Sequence, residues 1–391
     1  MHVWQPEGSG VMQYRQFGKL DWKVSALGFG AMRLPIIGED PSKIDEPEAI
    51  KMIRYAVDHG VNYIDTAYFY HMNKSEILVG KALKDGYRQK VKLATKLPCD
   101  MVESAKDFDR FFNEQLIRLD TKPDFYLLHG LGAHSWHKVR DLGVMKWAEK
   151  RQADGYFAHL AFSFHDEYDA FKEIVDAYDN WTFAQVMYNY IDVNSQATSR
   201  GVKYAADKGL GIVVMEPLRG GVLARTPLPE IAKVWETAPR KLNYPEWGLQ
   251  WLWNQPEISV VLSGMTTMQQ VKDNIVAANR SGVGTLNPAE LAVIDKVREA
   301  YRGLYPVPCT ACRYCQPCPN DVDIPRIFEI YNDAVAYNIQ NVGRMRYSGP
   351  RLEGHRVDKC TECNQCVEAC PQRIAIPDWL KKAEEFLGPP K

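Results

Sequence analysis

From about residue 25 to residue 280, short apolar runs alternate with stretches in which apolar residues recur at helical spacing. Leu27-Gly28-Phe29-Gly30, Val61 to Asp65, Val91 to Lys96 and Asp124 to His129 read as strands, followed by Tyr156 to Phe162, Phe183 to Met187, Gly211 to Met215 and Ile258 to Leu262. Between the first two, Ala49, Ile50, Ile53 and Val57 share a helix face and Gly60 follows as a C-cap. Further helices are predicted near Ser75 to Lys84 and from Ser104 to Leu119. Strands that alternate with helices and run parallel predict a closed (β/α)8 barrel of the TIM type. An open doubly wound sheet is the alternative, but Gly28-Phe29-Gly30 lacks the third glycine of a dinucleotide fingerprint. Ahead of the first strand, Met12 to Phe17 and Trp22 to Ser25 predict an N-terminal β-hairpin around Gly18. Pro288 to Tyr301 is one more amphipathic helix. Leu304-Tyr305-Pro306-Val307-Pro308 then breaks the pattern, which divides the chain into a barrel, residues 1–303, and a smaller domain, residues 304–391.

Composition narrows the class. The chain has 391 residues, 46% hydrophobic and 25% charged, with Lys+Arg 48 against Asp+Glu 49 and a net charge of -1. Such a balance leaves no electrostatic footprint for nucleic acid and no basic patch for a membrane surface. No apolar run approaches the roughly 20 residues that span a bilayer. The opening MHVWQPEGSG lacks the basic and apolar regions of a secretory signal, so a cytoplasmic protein is expected.

Four groups at predicted strand ends carry chemistry. Asp65-Thr66-Ala67-Tyr68-Phe69-Tyr70 begins where the second strand ends, Lys96 ends the third, and His129 ends the fourth. In a barrel those ends converge on the mouth where active sites are built. Singly, Tyr70 reads as a loop aromatic, Lys96 and Asp65 as a structural ion pair, and His129 as a core histidine. Jointly, the four suit reduction of a carbonyl. A hydride added to carbon needs a proton on oxygen, which Tyr70 can supply. A free tyrosine has a pKa near 10, and a neighbouring Lys96 ammonium is expected to lower it by stabilising the phenolate. Asp65 would hold the ammonium, and His129 would hydrogen-bond the substrate oxygen.

The pattern DTAxxY from Asp65 to Tyr70, the strand ending ATK at Lys96 and the LLH at His129 resemble the aldo-keto reductase superfamily over about residues 12 to 300. The resemblance implies that Asp65, Tyr70, Lys96 and His129 form a catalytic tetrad, and that NAD(P)H lies extended across the barrel mouth beside Asp65. It further implies that Ser163 and Gln185 meet the nicotinamide, Leu218 and Gly220 the pyrophosphate, and Thr266, Gln270 and Asn274 the adenosine end. The chain departs from the family pattern in places. Phe164 follows Ser163 where asparagine is usual, and Met215-Glu216 stands where many members have Tyr-Ser. Gln270 stands where NADPH-preferring members often carry the arginine that binds the 2′-phosphate.

The chain has nine cysteines, of which all but Cys99 fall between residues 309 and 370. Their clustering points to bound metal, because a disulfide framework belongs to small secreted domains. One motif is Cys309-x2-Cys312-x2-Cys315-x2-Cys318-Pro319 and the other Cys360-x2-Cys363-x2-Cys366-x3-Cys370-Pro371. Three thiolates at such spacing can wrap three corners of an iron–sulfur cubane, with the fourth ligand arriving from elsewhere. Zinc ribbons use separated CxxC pairs instead. Each motif is followed by a short apolar turn and a proline that opens a helix, at Ile324-Pro325 and Ile376-Pro377. The repeat resembles ferredoxin-type modules, and the spacer from Asn332 to Lys359 has little strand character, so a mainly helical iron–sulfur domain is expected. That resemblance implies one 4Fe-4S cluster on Cys309, Cys312, Cys315 and Cys370 and another on Cys360, Cys363, Cys366 and Cys318. A single cluster is the alternative.

These features converge on an oxidoreductase that interconverts a small carbonyl and an alcohol with NAD(P)H, its clusters serving as an electron relay or a structural clamp. A redox partner protein is a further expectation. Hydride transfer moves two electrons together whereas a cluster moves one, and no flavin motif joins the two. Two other readings stay open: a nicotinamide-independent protein whose clusters feed single electrons to a barrel-bound substrate or partner, and a non-enzymatic redox sensor. Arg344, Arg346, Arg351 and Arg356 read as a solvated face rather than an anion site, and His134, His137 and Cys99 as ordinary residues.

Overall fold

Runs rich in β-branched and aromatic residues, bounded by glycine and polar turns, form the strands, and the helices between them keep every strand pointing the same way. A computed structural model of the chain describes residues 10–309 and 312–389. The segment up to Ser9, read above for an export signal, lies outside the described residues. After β1 (Tyr14–Gln16) and β2 (Lys23–Ser25) come β3 (Leu27–Gly30), β4 (Tyr63–Asp65), β5 (Lys92–Leu97) and β6 (Phe125–Leu131). β7 (His159–Phe164), β8 (Phe183–Met187), β9 (Gly211–Met215) and β10 (Val260–Gly264) complete the set. β3 through β10 pair in sequence order, all parallel, and β10 closes on β3 to make the barrel. The chain therefore has the expected (β/α)8 architecture, preceded by the β1–β2 antiparallel hairpin. β7 begins three residues later than the apolar run suggests. The Tyr156 N–H still bonds Arg151 O at 3.0 Å, so that residue closes the preceding helix α5 (Val144–Ala153) rather than opening the strand.

The hairpin caps the N-terminal end of the barrel. Gly18 turns at φ +54, and a methyl group there would lie 2.5 Å from Gly211 N, so only glycine fits. Phe17 is fully buried. It stacks on Phe183 at 5.1 Å between centroids and meets Tyr63 and Phe125 edge-on at 5.9 and 5.5 Å. Val24, Ala94, Ala161, Val213 and Val260 fill the layer around it.

The chain divides into two compact units. One comprises the chain to Arg225 with Leu242–Pro288, and the other Thr226–Lys241 with the chain from Ala289 onward. The second unit is helical, and no strand occurs in it among the described residues. α12 (Ile324–Ala336), α13 (Gln340–Ser348) and α15 (Ile376–Leu387) enclose a core of Val322, Ile327, Phe328, Leu352, Ile374 and Leu380. The repeat seen in the sequence recurs in the backbone. Asp321 N–H bonds Cys318 O and Arg373 N–H bonds Cys370 O, both at 3.0 Å. Ile324 N–H then bonds Val322 O, and Ile376 N–H bonds Ile374 O. Asp321 and Arg373 both take left-handed φ, 58 and 52. Three of the four spacer arginines are engaged: Arg346 pairs with Asp333 and Glu329, Arg344 donates to Phe386 O, and Arg356 donates to Tyr347 O, while Arg351 is exposed. Among the described residues no helix is long and apolar enough to cross a membrane.

The hairpin plug can be tested directly. Phe17→Ala removes an aromatic side chain from a closed layer that cannot collapse around the void, and should cost the barrel about 3–5 kcal/mol. Chemical denaturation of the full chain, followed through the barrel's own unfolding transition, measures it.

Candidate active site and cysteine cavities

β4, β5 and β6 deliver Asp65, Lys96 and His129 to one end of the barrel, and the loop after β4 folds Tyr70 back over them. Lys96 Nζ donates to Asp65 Oδ1 at 2.6 Å, to Thr66 O at 2.8 Å and to Tyr70 Oη at 3.3 Å. All three ammonium hydrogens thus have acceptors, which is what a fully buried lysine requires. His129 completes the group: its ring lies edge-on to Tyr70 at 5.9 Å and parallel to Phe69 at 4.7 Å. The four tetrad residues expected from the sequence are therefore neighbours.

The electrostatics differ in one respect from expectation. Burial pushes Tyr70 above the ordinary tyrosine value; the Lys96 ammonium pulls it back, and burial wins. Burial works against the Lys96 charge, but the Asp65 carboxylate and then Tyr70 more than offset it, so the ammonium is retained. Burial, aided by Lys96 and His165, holds His129 well below the usual histidine range, which leaves a neutral imidazole.

Behind this group lies a brace with no local sequence signature. Glu76 accepts from Thr95 Oγ1 at 2.6 Å and from Gln115 Nε2 at 2.7 Å, and Gln115 Nε2 also donates to Lys96 O at 3.0 Å. These partners come from α2 (Ser75–Ala82), β5 and α3 (Lys106–Leu119), so only the folded chain joins them. Phe69, stacked on His129, belongs to the group as well without a chemical signature of its own in the sequence. Its position directly before Tyr70 was the available signal.

The residues that the resemblance assigned to the nucleotide divide into two sets. Ser163 and Gln185 are register partners on β7 and β8. Ser163 Oγ accepts from Gly130 N at 2.8 Å, pinning a bulge that follows His129, where Gly130 takes φ +65. Gln185 Oε1, Asp65 Oδ2 and His129 Nδ1 are buried with no hydrogen-bond partner among the described residues. Buried polar atoms of that kind mark a surface that a polar ligand completes. A nicotinamide carboxamide, with two N–H donors, fits the Gln185 oxygen. Leu218 and Gly220 lie in a tight loop with Glu216 at φ 52, Arg219 at 52, Gly220 at 65 and Gly221 at 92. Arg219 is held there, its Nε 2.8 Å from Asp192 Oδ2. Gln270 is engaged structurally: its Oε1 accepts from Thr266 N at 2.7 Å, and its N–H bonds Thr267 Oγ1 in a capping box of α10 (Met268–Asn279). Asn274 Nδ2 donates to Ser263 Oγ at 2.9 Å. Thr266 Oγ1 donates to Arg33 O at 3.1 Å.

In the second unit the cysteines surround two cavities. Cys309, Cys312, Cys315 and Cys370 line one, with Ile324 and Phe328. Cys318, Cys360, Cys363 and Cys366 line the other, with Ile324 and Leu380. Each cavity draws three thiols from one copy of the repeat and one from the other. Among the described residues no three His, Cys, Asp or Glu side chains converge on a point suited to a single ion. The thiols ring a volume, and soft thiolates around an apolar pocket fit an iron–sulfur cluster.

The chain belongs to the aldo/keto reductase family, whose profile matches residues 26–299, and it carries a 4Fe-4S dicluster domain matched over residues 308–375. It is an oxidoreductase of that family with a C-terminal iron–sulfur domain. Among similar proteins, the L-galactose dehydrogenase of Arabidopsis thaliana is 25% identical over 318 residues, 75% of this chain and 96% of the relative. A probable aldo-keto reductase of Glycine max is 37% identical over 123 residues, 29% of this chain and 35% of that protein. Among solved structures, the holo form of an aldo-keto reductase from Bacillus halodurans superimposes with a TM-score of 0.61 at 27% identity, covering 73% of this chain and 96% of its own. An aldo-keto reductase from Klebsiella pneumoniae in complex with NADPH shares the fold, with a TM-score of 0.59 at 20% identity over 74% of this chain and 95% of its own.

The buried pair can be weighed by a double-mutant cycle. Lys96→Met or Asp65→Asn alone leaves the partner's charge buried and uncompensated, and each should destabilise the barrel by about 3–5 kcal/mol. Denaturation of the doubly substituted chain should show a loss smaller than the sum of the two.

Proposed function

We propose that the barrel, residues 1–303, interconverts a small carbonyl compound and its alcohol with NAD(P)H, with Tyr70 as general acid. We infer further that residues 304–391 hold two 4Fe-4S clusters. The observation that carries the first reading is the 3.3 Å separation of Lys96 Nζ from Tyr70 Oη, with Asp65 2.6 Å beyond the ammonium. A nicotinamide bound at the barrel mouth supplies the hydride. As the carbonyl carbon gains hydrogen, its oxygen takes the proton from Tyr70, and the phenolate left behind faces the ammonium. Because burial keeps Tyr70 protonated in the resting site, the acid is in place before substrate arrives. The neutral His129 donates a hydrogen bond to the same oxygen and adds no charge that would compete with Lys96. Gln185, with its unmet amide oxygen, orients the nicotinamide ring. The existence of a holo form of the Bacillus halodurans relative supports a bound cofactor.

Bound clusters supply single electrons. Their ligands are Cys309, Cys312, Cys315 and Cys370 for one and Cys360, Cys363, Cys366 and Cys318 for the other, which the lining of the two cavities supports. They act as a relay toward a redox partner protein or as a clamp on the module. The cytoplasm, where thiols are kept reduced, suits both the free Cys99 and the cluster ligands.

Tyr70→Phe should abolish most carbonyl reduction while leaving NADPH affinity nearly unchanged, since only the proton donor is lost. In the unmodified enzyme, reduction needs the protonated phenol. It should hold through neutral pH and fall only as pH rises through the elevated Tyr70 value, while alcohol oxidation, which needs the phenolate, climbs over the same range. Steady-state rates in both directions together with a nucleotide titration decide it. Intact turnover in Tyr70→Phe defeats the acid assignment, and absence of nucleotide binding by the unmodified chain moves the function to the single-electron reading.

Iron and acid-labile sulfide in anaerobically purified protein should each approach about eight per chain. Cys318→Ala should disturb the cluster of Cys360, Cys363 and Cys366 and spare the other, and Cys370→Ala should do the reverse. Electron paramagnetic resonance of the reduced variants distinguishes the two. Iron near four in the unmodified protein, unaffected by Cys318→Ala, establishes a single cluster instead.

A further inference from the structure

The barrel mouth carries a cation that neither the tetrad nor the expected nucleotide contacts use. Arg33 follows β3 on a loop fixed from several directions. Ala31 N–H bonds Asp65 O at 2.8 Å, Thr266 Oγ1 donates to Arg33 O, and Leu34 N–H donates to His71 Nε2 at 3.0 Å. His71 is itself held at 2.8 Å by Pro41 O through Nδ1. The backbone of Arg33 is therefore set, and its side chain runs from Gly264, at the end of β10, toward Gly220, in the loop after β9. A methyl group on Gly264 would come within 2.7 Å of Arg33 Cγ, so the absence of a side chain there makes room for the stem. A methyl group on Gly220 would lie 3.7 Å from Arg33 Nη2, so the guanidinium reaches the left-handed loop that contains Glu216, Arg219, Gly220 and Gly221.

Arg33 differs from Arg219 and Arg280 in one respect. Arg219, in that same loop, is committed to Asp192 at 2.8 Å, and Arg280, at the end of α10, to Glu246 at 2.7 Å. Among the described residues the Arg33 guanidinium has neither a carboxylate partner nor a side-chain hydrogen bond, and it is exposed. A positive charge placed on a braced loop, over two glycines and without a counter-ion, is arranged for an anion that arrives from solution. Its planar fork of N–H donors suits two phosphate oxygens at once.

We propose that Arg33 binds the diphosphate bridge of the dinucleotide, a role that rests on the nicotinamide reading above. The guanidinium reaches the Gly220 loop, whereas the Gln270 side chain is taken up by its capping box, so the charge is assigned to the diphosphate common to NADH and NADPH rather than the 2′-phosphate found only in NADPH. Direct titration of the full-length protein with NADH and with NADPH tests this, using Arg33→Gln and Arg33→Lys. Arg33→Gln should weaken both nucleotides alike by about ten- to a hundredfold, the range expected for a lost charge-assisted pair. Arg33→Lys should recover part of that loss, and the thermal melt of both variants should match the unmodified protein because the side chain is exposed. Affinity for nicotinamide mononucleotide, which lacks the diphosphate, should change little. A loss confined to NADPH overturns the assignment to the diphosphate, and so does unchanged affinity for both nucleotides in Arg33→Gln. An unmodified protein that binds neither nucleotide overturns the nicotinamide reading and this inference together.

Discussion

An ammonium group with no access to water persists inside a barrel only while a carboxylate and further acceptors face it. In this protein that condition is met at Lys96, and much of the mouth is organised around it. Asp65 supplies the charge, Thr66 O and Tyr70 Oη the remaining acceptors. The brace of Glu76, Thr95 and Gln115 fixes the strand that carries the lysine by gripping its backbone carbonyl from behind. Tyr70 is consequently held in one place, and its opposing influences, burial and a neighbouring charge, are both consequences of the same lysine site. The ion pair thus sets the chemistry of the phenol and the local stability of the barrel together.

What the sequence disclosed depended on how far apart the cooperating residues lie. Strands, the hairpin and the two cysteine motifs follow local rules of periodicity and spacing, and they are found close to where those rules put them, with β4 and β10 starting two residues late and β7 three. Asp65 to Tyr70 is likewise a local pattern at a strand end. Other facts need the closed barrel. Ser163 bonds Gly130, thirty-three positions away in sequence, and holds the bulge beside His129. The direction of the Tyr70 shift required knowing how completely the barrel buries it. Gln270 is instructive in a different way. Thr267-x-x-Gln270 has the spacing of a capping box, so its structural duty follows from a local rule that competes with any nucleotide contact at the same side chain. Arg33 carried no signal at all until the chain brought Gly220 and Gly264 alongside it.

The two halves of the chemistry make different demands on the chain. The proton transfer proposed for Tyr70 would require donors and acceptors positioned to a few tenths of an ångström, which strands of a closed barrel can provide. The cysteine module requires segments distant in sequence to stay together, which its helical core of Phe328, Ile374 and Leu380 provides. Hydride transfer moves two electrons together whereas a cluster moves one, so on the proposed reading each half would be organised around its own cofactor class.

The crossed lining of the two cysteine cavities makes the two copies of the repeat dependent on each other. Each copy of the repeat offers three thiols to one cavity and one to the other, and Ile324 stands in the wall of both. A solitary copy would own four cysteines and yet complete neither site. It could do so only by associating with a second copy around a twofold axis, each subunit lending the other its last ligand. In this chain both copies lie in one polypeptide, so neither cavity keeps its full ring of thiols unless both segments stay together, even though the spacing before Cys318 and Cys370 is unequal.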